Sequence, residues 1–304
     1  LPIGADPDSG LWEFAHLQTG DEAKRGADGK LVLTDGMGLV FVLIPGGTFA
    51  MGAQSDPAEA NFDPQAAGDE SPVHEVTLDA YFLSKYELTQ GQWEQFVGRN
   101  PSLYDEARYS GGWNRERSAW SGLHPVEQVS WNDGMRTLGQ LGLEFPTEAQ
   151  WEYGCRAETS SPYWSGEADA ELSAVANVSD EFAKAKGGPF GRWESWDDGN
   201  VVHATVGSYR ANGFGLHDVH GNVWEWCRDR YGGYDLAVRA GDGERQVTGS
   251  ANRAYRGGGF ASAASDARSA IRNISTPEIR FNSLGLRPAR ASRLSPSPLH
   301  PSGK

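Results

Sequence analysis

Asn212-Gly213-Phe214-Gly215-Leu216-His217-Asp218-Val219-His220-Gly221-Asn222-Val223-Trp224-Glu225-Trp226 decides how this chain is read. Its glycines permit backbone angles that other residues resist, so the run opens as an irregular loop. From Val223 the side chains alternate with a period of two. That predicts a short strand with Trp224 and Trp226 on one face and Val223 and Glu225 on the other. Two indoles thereby enter the core, while a carboxylate is aimed elsewhere.

Working outward, Leu39-Val40-Phe41-Val42-Leu43-Ile44 is a continuous apolar run between Gly38 and Pro45-Gly46-Gly47, which predicts a buried strand. Thr48 to Gly52 is expected to return beside it as a hairpin. Val73 to Leu78 and Tyr81-Phe82-Leu83 give further strands by alternation and β-branched content. Thr89-Gln90-Gly91-Gln92 and Thr147-Glu148-Ala149-Gln150 match the capping box, and Ser130-Trp131-Asn132-Asp133 offers a Ser cap with a carboxylate in the first turn. Helices are therefore expected near 89–98, 131–141 and 148–157. Residues 99–125 and 158–210 lack periodicity. Loops that long must be tied down by something other than regular hydrogen bonding, and bound cations are one candidate.

A chain of 304 residues with 39 glycines, 16 prolines, 11 tryptophans and an apolar fraction of 38% favours one main loop-rich domain pinned by aromatic anchors. No run of about 20 apolar residues exists, so no membrane insertion is expected. The chain starts at Leu1 without a signal-like segment, as a mature form or an excised fragment does, and the compartment stays open. A net charge of -14 argues against nucleic acid as a partner. Residues 1–80 hold fourteen Asp and Glu against three Lys and Arg, whereas residues 251–304 hold eight Arg and one Lys against Asp266 and Glu278. The plain expectation is that the two ends attract across the fold; the alternative is a locally basic ligand face. Cys155 and Cys227 are too few for a disulfide framework, and both sit in aromatic-rich segments where a thiol acts as a small apolar group.

The opening stretch is similar to the signature of the formylglycine-generating enzyme family, also called the sulfatase-modifying factor domain. The likeness covers residues 36–290. It includes Gly36-Met37-Gly38 through Gly52, Glu87-Leu88-Thr89, His124 to Trp131, Pro146 to Tyr153, and Arg256-Gly257-Gly258 to Leu284-Gly285-Leu286-Arg287, in the family's order. The resemblance implies an α+β domain with an irregular, loop-rich C-type lectin-like fold. Residues 1–35 are then an extension docking through Leu11-Trp12-Glu13-Phe14, and residues 291–304, with Pro296, Pro298 and Pro301 among serines, are a flexible tail.

Enzymes of the family hold copper on two cysteines five positions apart near the C-terminus. Here those positions correspond to Ser262 and Ala267, neither of which can be a thiolate ligand, so no copper and no copper-dependent catalysis are expected. His217 and His220, beside Asp218 and Glu225, suggest a catalytic metal to a motif search. The better reading is structural calcium, which takes hard oxygen donors on irregular backbone. The resemblance implies one ion at Asp218, Gly221, Val223 and Glu225, and a second at Asn177, Val178, Asp198 and Asn200.

The block 256–287 divides into two sets. Arg256, Gly257, Gly258, Arg268, Ser269, Ala270, Arg272, Pro277, Arg280 and Leu284 to Arg287 read as framework. Interleaved are Phe260, Ser262, Ser265, Asp266, Ile271, Asn273, Ile274, Ser275, Ile279, Phe281, Asn282 and Ser283, expected to form an apolar patch ringed by polar side chains. Variable proteins of diversity-generating retroelements display such a block on this fold, with varied codons derived from asparagine-type templates. Changing the adenines of those codons gives Phe, Ile, Ser, Ala, Gly, Asp or Asn, but never Lys, Gln, Met or Trp. None of these four occurs from Gly258 to Ser283, although Glu278 must then be framework. The expectation is a monomeric, non-catalytic protein that binds a protein or small-molecule ligand at this block. A fixed sensory module of a receptor kinase and a copper-independent enzyme are the alternatives.

Overall fold

The computed structural model describes residues 1–105, 107, 120–167, 169–188 and 190–292. The tail expected over 291–304 lies outside the described residues from position 293 onward.

The chain opens with β1 (Pro2–Ala5), β2 (Trp12–Ala15), β3 (Val40–Ile44), β4 (Gly47–Met51), β5 (His74–Leu78) and β6 (Tyr81–Ser84). Three helices follow, α1 (Gln90–Val97), α2 (Trp131–Gln140) and α3 (Glu148–Arg156). Each begins where its cap was expected. Thr89, Ser130 and Thr147 accept from the third helical N–H, while the side chain at that third position reaches back to the cap. Left-handed Gly98 ends α1. The later half contains β7 (Ala176–Asn177), α4 (Glu181–Ala185), β8 (His220–Gly221), β9 (Trp224–Arg230), β10 (Arg253–Arg256), β11 (Asn273–Ser275), β12 (Leu284–Gly285) and β13 (Ala289–Ala291).

One sheet runs β1-β2-β3-β6-β13 and another β11-β10-β9-β12, with β4 paired to β5 and β7 to β8. The expected hairpin between β3 and β4 does not form. β3 joins β2 and β6 instead, and β4 pairs with β5 in the register Phe49↔Val76. Pro45-Gly46 carries the chain out of one sheet and into the next; a Cβ at Gly46 would come within 2.8 Å of the Leu78 carbonyl, so the crossing needs glycine.

The extension continues the main sheet, but Trp12 does not anchor it, being 54% exposed. Its buried neighbour Glu13 does. Lys85 Nζ lies 2.6 Å and Arg25 Nη2 2.7 Å from its carboxylate oxygens, and Phe14 meets Phe82 edge-on at 5.2 Å. Period-two alternation sends Glu13 inward and Trp12 outward.

Trp224 and Trp226 pack with Phe145, Val126, Leu284 and Leu286 in one core cluster, while Trp151, Ile44, Leu216 and Cys227 belong to another. Both faces of β9 are covered, so Glu225 is as buried as the indoles. The attraction between acidic and basic ends is visible in Arg268, which bridges Asp63 at 2.6 Å and Glu70 at 2.8 Å inside the protein.

Candidate functional site: the C-terminal block and the loops beneath it

The framework reading of the block follows side-chain burial. Arg256, Arg268, Ser269, Ala270, Arg272, Leu284, Leu286 and Arg287 are all buried. Arg256 and Arg272 reach Glu148 at the start of α3, and Arg256 also meets Glu152 one turn on. Buried guanidiniums survive only with such partners. Arg280 is the exception, an exposed framework residue that pairs with Asp133.

Of the interleaved residues, Ile274 and Phe281 are 39% and 42% exposed. Ser262, Ser265, Asp266, Ile271, Asn273, Ser275, Ile279, Asn282 and Ser283 are partly accessible. Phe260 departs from the expected patch: it is 1% exposed, with its ring against Tyr104, Phe190 and His203. Gly257 and Gly258, both at positive φ, turn the chain inward here, and Phe260 N–H donates to the Asn222 carbonyl at 2.8 Å. Phe260 is therefore core, and the accessible set begins at Ser262.

The block is held by two groups of neighbours. Ser262 accepts, through its carbonyl, from Ser179 N–H, and Ala264 N–H donates to Glu194. Further on, Phe281 carbonyl accepts from Gln128 N–H, and Asn282 Nδ2 donates to the Tyr104 hydroxyl at 2.9 Å.

Beneath lie the two loops expected to bind calcium. They are one construction, because β7 pairs with β8 through Asn177↔Gly221 and Asn222 N–H donates to the Asn177 carbonyl. Gly221 has φ +79°, and a Cβ there would stand 2.1 Å from the Asn177 carbonyl oxygen. Asp218 and Asn222 also hold left-handed angles, unusual for residues with side chains. Asp218 Oδ2 accepts from Gly207 N–H, but Oδ1 is buried without a partner, and so is Asn177 Oδ1. Burial raises the Asp218 carboxyl to about 7 and lifts Asp198 well above the ordinary range. Two orphaned oxygens and two unwillingly buried carboxylates are the donor chemistry a hard cation satisfies.

Glu225 fits less well. Arg287 engages both of its oxygens, and Trp151 Nε1 donates to Oε2 at 2.7 Å. Glu87, which the sequence pointed to only as part of a family block, completes the cluster by accepting from Val223 N–H and Asn222 Nδ2. Desolvation, then Asp218 and Glu225, raise its carboxyl. Asp198 accepts from Val178 and Asn200 N–H.

The two histidines of the opening stretch do not converge. His220 Nδ1 donates to the Ala267 carbonyl and Nε2 accepts from Trp164 N–H, whereas His217 Nδ1 donates to the Tyr209 carbonyl and the ring stacks on Tyr86. Burial drops both to about 4, so both are neutral. Ser262 Oγ accepts from Gly259 N–H, and Ala267 is buried. Cys155 and Cys227 are buried thiols; desolvation pushes Cys155 up to about 12 and Cys227 well above its usual range.

Among solved structures, PvdO from Pseudomonas aeruginosa superposes with a TM-score of 0.67 at 23% identity, covering 90% of this chain and 99% of that one. Treponema denticola variable protein 1 follows with a TM-score of 0.64 at 21% identity, covering 86% and 98%. These likenesses bear on the fold, an α+β, loop-rich variant of the C-type lectin-like architecture. In sequence, the Formylglycine-generating enzyme of Streptomyces coelicolor is 29% identical over 295 residues, covering 83% of this chain and 90% of its relative. Residues 35–292 match the model of the sulfatase-modifying factor enzyme 1-like domain, and the chain belongs to that family.

Proposed function

We propose that this chain is a non-catalytic ligand-binding protein, in which the family scaffold displays the accessible residues of 262–283 as a recognition surface and that surface is diversified. The carrying observation is the partition by burial. Framework arginines other than Arg280 are sealed and paired, while the interleaved side chains, Phe260 excepted, reach solvent. Changes at such positions disturb the fold little, which is what a variable surface requires. The residue types there fit adenine-directed change of asparagine-type codons. The ligand is a protein or a small molecule.

Calcium is the proposed structural cofactor. Asn177, Val178, Asp198 and Asn200 would hold one ion, and Asp218 with the Gly221 and Val223 carbonyls would provide most of another. Those loops carry the block directly, since Asn222 and Ser179 bond to Phe260 and Ser262. Fixing them would fix the displayed surface.

The relative from Streptomyces coelicolor is named as an enzyme, which keeps the catalytic alternative in view. Against it stand Ser262 and Ala267 at the positions expected to carry the cysteine pair, and the burial of Cys155 and Cys227. Two experiments test the reading. The encoding DNA should contain a near-duplicate of the last hundred or so bases, beside a reverse transcriptase, differing mainly at adenines; without it the diversification claim falls. Incubation with copper and a thiol peptide under oxygen should give no turnover, and turnover lost on Ser262→Ala would overturn the non-catalytic assignment.

A further inference from the structure

A large cavity lies away from the C-terminal block, between the extension and the loop that leads into the opening stretch. It measures about 840 Å³, within the range that small-molecule sites occupy. The extension contributes Leu31, Leu33, Asp6, Asp8 and Lys30; the domain contributes Lys85, Tyr86, Trp164, Ser165, Arg210 and His217.

The wall is ordered by specific contacts. The Tyr86 and His217 rings stack 5.0 Å apart. Gly207 sits between Tyr86 and Leu33, so close that a Cβ there would meet them at 2.9 and 3.2 Å. The Arg210 guanidinium, also on the lining, lies over the Trp164 ring at 5.2 Å. Lys85 is already neutralised by Asp6 and Glu13, and Lys30 lies 3.7 Å from Asp8. Arg210 has no carboxylate partner among the described residues.

Several polar groups are also unanswered. Ser165 Oγ is buried without a hydrogen-bond partner. The His217 ring donates through Nδ1 to a carbonyl, which leaves Nε2 as an acceptor, and the Tyr86 hydroxyl has no partner among the described residues. A buried unmet hydroxyl, with two ring groups free of protein partners among the described residues, in an aromatic-walled cavity suits a ligand that supplies the complements.

We propose that this cavity binds a small planar aromatic acid. The ring would lie against Tyr86, His217, Leu31 and Leu33, and the carboxylate would meet Arg210. A hydroxyl or N–H on the ring would donate to His217 Nε2. One unpaired guanidinium offsets a single negative charge, and the carboxylates of Asp6 and Asp8 disfavour a second, so a carboxylate suits the cavity better than a phosphate. This inference does not rest on the display reading, because no residue of 256–287 lines the cavity.

The test is calorimetric titration of the full chain with 4-hydroxyphenylacetate, phenyl phosphate and benzamidine. The acid should bind with one-to-one stoichiometry at about millimolar Kd or tighter. Arg210→Gln should weaken it at least about tenfold with no change in melting temperature, since Arg210 is exposed. Leu33→Ala should weaken the acid and leave the solvent-accessible block untouched. Absence of binding, tighter binding of phenyl phosphate or benzamidine, or undiminished binding by Arg210→Gln overturns the proposal.

Discussion

Arg287 and Glu225 are locked together inside the protein. The guanidinium Nε stands 3.0 Å from each carboxylate oxygen and Nη2 stands 2.7 Å from Oε1, with both side chains sealed from solvent. Arg287 also donates to the Ser84 and His217 carbonyls, tying the end of the block to β6 and to the opening stretch. Its positive charge also acts on Glu87 and Asp218. Replacing it leaves buried Glu225 without its counter-charge, so Arg287→Met should cost roughly 3–5 kcal/mol in urea unfolding. A loss under about 1 kcal/mol would show that Glu225 finds another counter-charge.

The pH dependence of stability follows from the same cluster. Asp218 titrates near 7 in the folded protein against an ordinary 3.8, so the folded state holds the proton more tightly than the unfolded one. Its contribution is then fully present below about pH 4 and is lost as pH rises through about 7. A bound cation would pull the folded value back down and remove that loss. In chelator, the urea midpoint should fall between about pH 5 and pH 7.5, and added calcium should raise it more at the upper value than at the lower. Asp229 is also raised to about 7, beside Glu148 and outside both expected ligand sets, so part of the decline should persist in calcium. Equal effects of calcium at both pH values would count against Asp218 as a ligand.

The block should show two kinds of position. Ile274→Ser and Phe281→Ser remove half-exposed side chains and should change stability by no more than about 0.5 kcal/mol. Phe260→Ala, by contrast, empties a ring-lined interior and should cost about 3–5 kcal/mol. Thermal melts of the three variants decide the matter. A large drop at Ile274 or Phe281 would place them in the framework and shrink the displayed surface.

Local chemistry was what the sequence made readable. Thr89, Ser130 and Thr147 mark helix starts because a cap is a contact within four residues. The Trp224–Trp226 alternation marks a strand for the same reason. The partner of β4 was not readable, since Phe49 meets Val76 across a long loop and local alternation says nothing about which strand lies alongside. Phe260 was misplaced because its neighbours suggested a surface, whereas the positive angles at Gly257 and Gly258 that turn it inward are a tertiary matter. The cavity around Arg210 was invisible: Leu33, Tyr86, Trp164 and His217 are scattered over more than half the chain, and no spacing joins them.

Thiol chemistry offers a direct measure of the buried cysteines. Burial holds the Cys155 thiol up near 12, so almost none of it is thiolate at about pH 8. Native protein should resist a disulfide-exchange reagent at both Cys155 and Cys227, and both should react fully once unfolded in guanidinium. Rapid labelling of either in the native state would reopen a redox role.

Gly221 is where backbone, cation loops and block meet, so it gives the sharpest test of their coupling. Any side chain there is strained twice, by φ +79° and by a Cβ at 2.1 Å from the Asn177 carbonyl oxygen. Relief requires β8 to move from β7. That movement breaks the Asn222 to Asn177 bond and disturbs Asn177, whose Oδ1 is one of the orphaned oxygens. Gly221 N–H also donates to the Gly257 carbonyl at 2.7 Å, so the shift passes to the turn that launches the block. Gly221→Ala should therefore destabilise by more than about 2 kcal/mol and should abolish the calcium-dependent part of stability as well. If the variant lost stability but kept its full response to calcium, the loops would bind the ion independently of the β7–β8 pairing, and the proposed link between cation and displayed surface would fail.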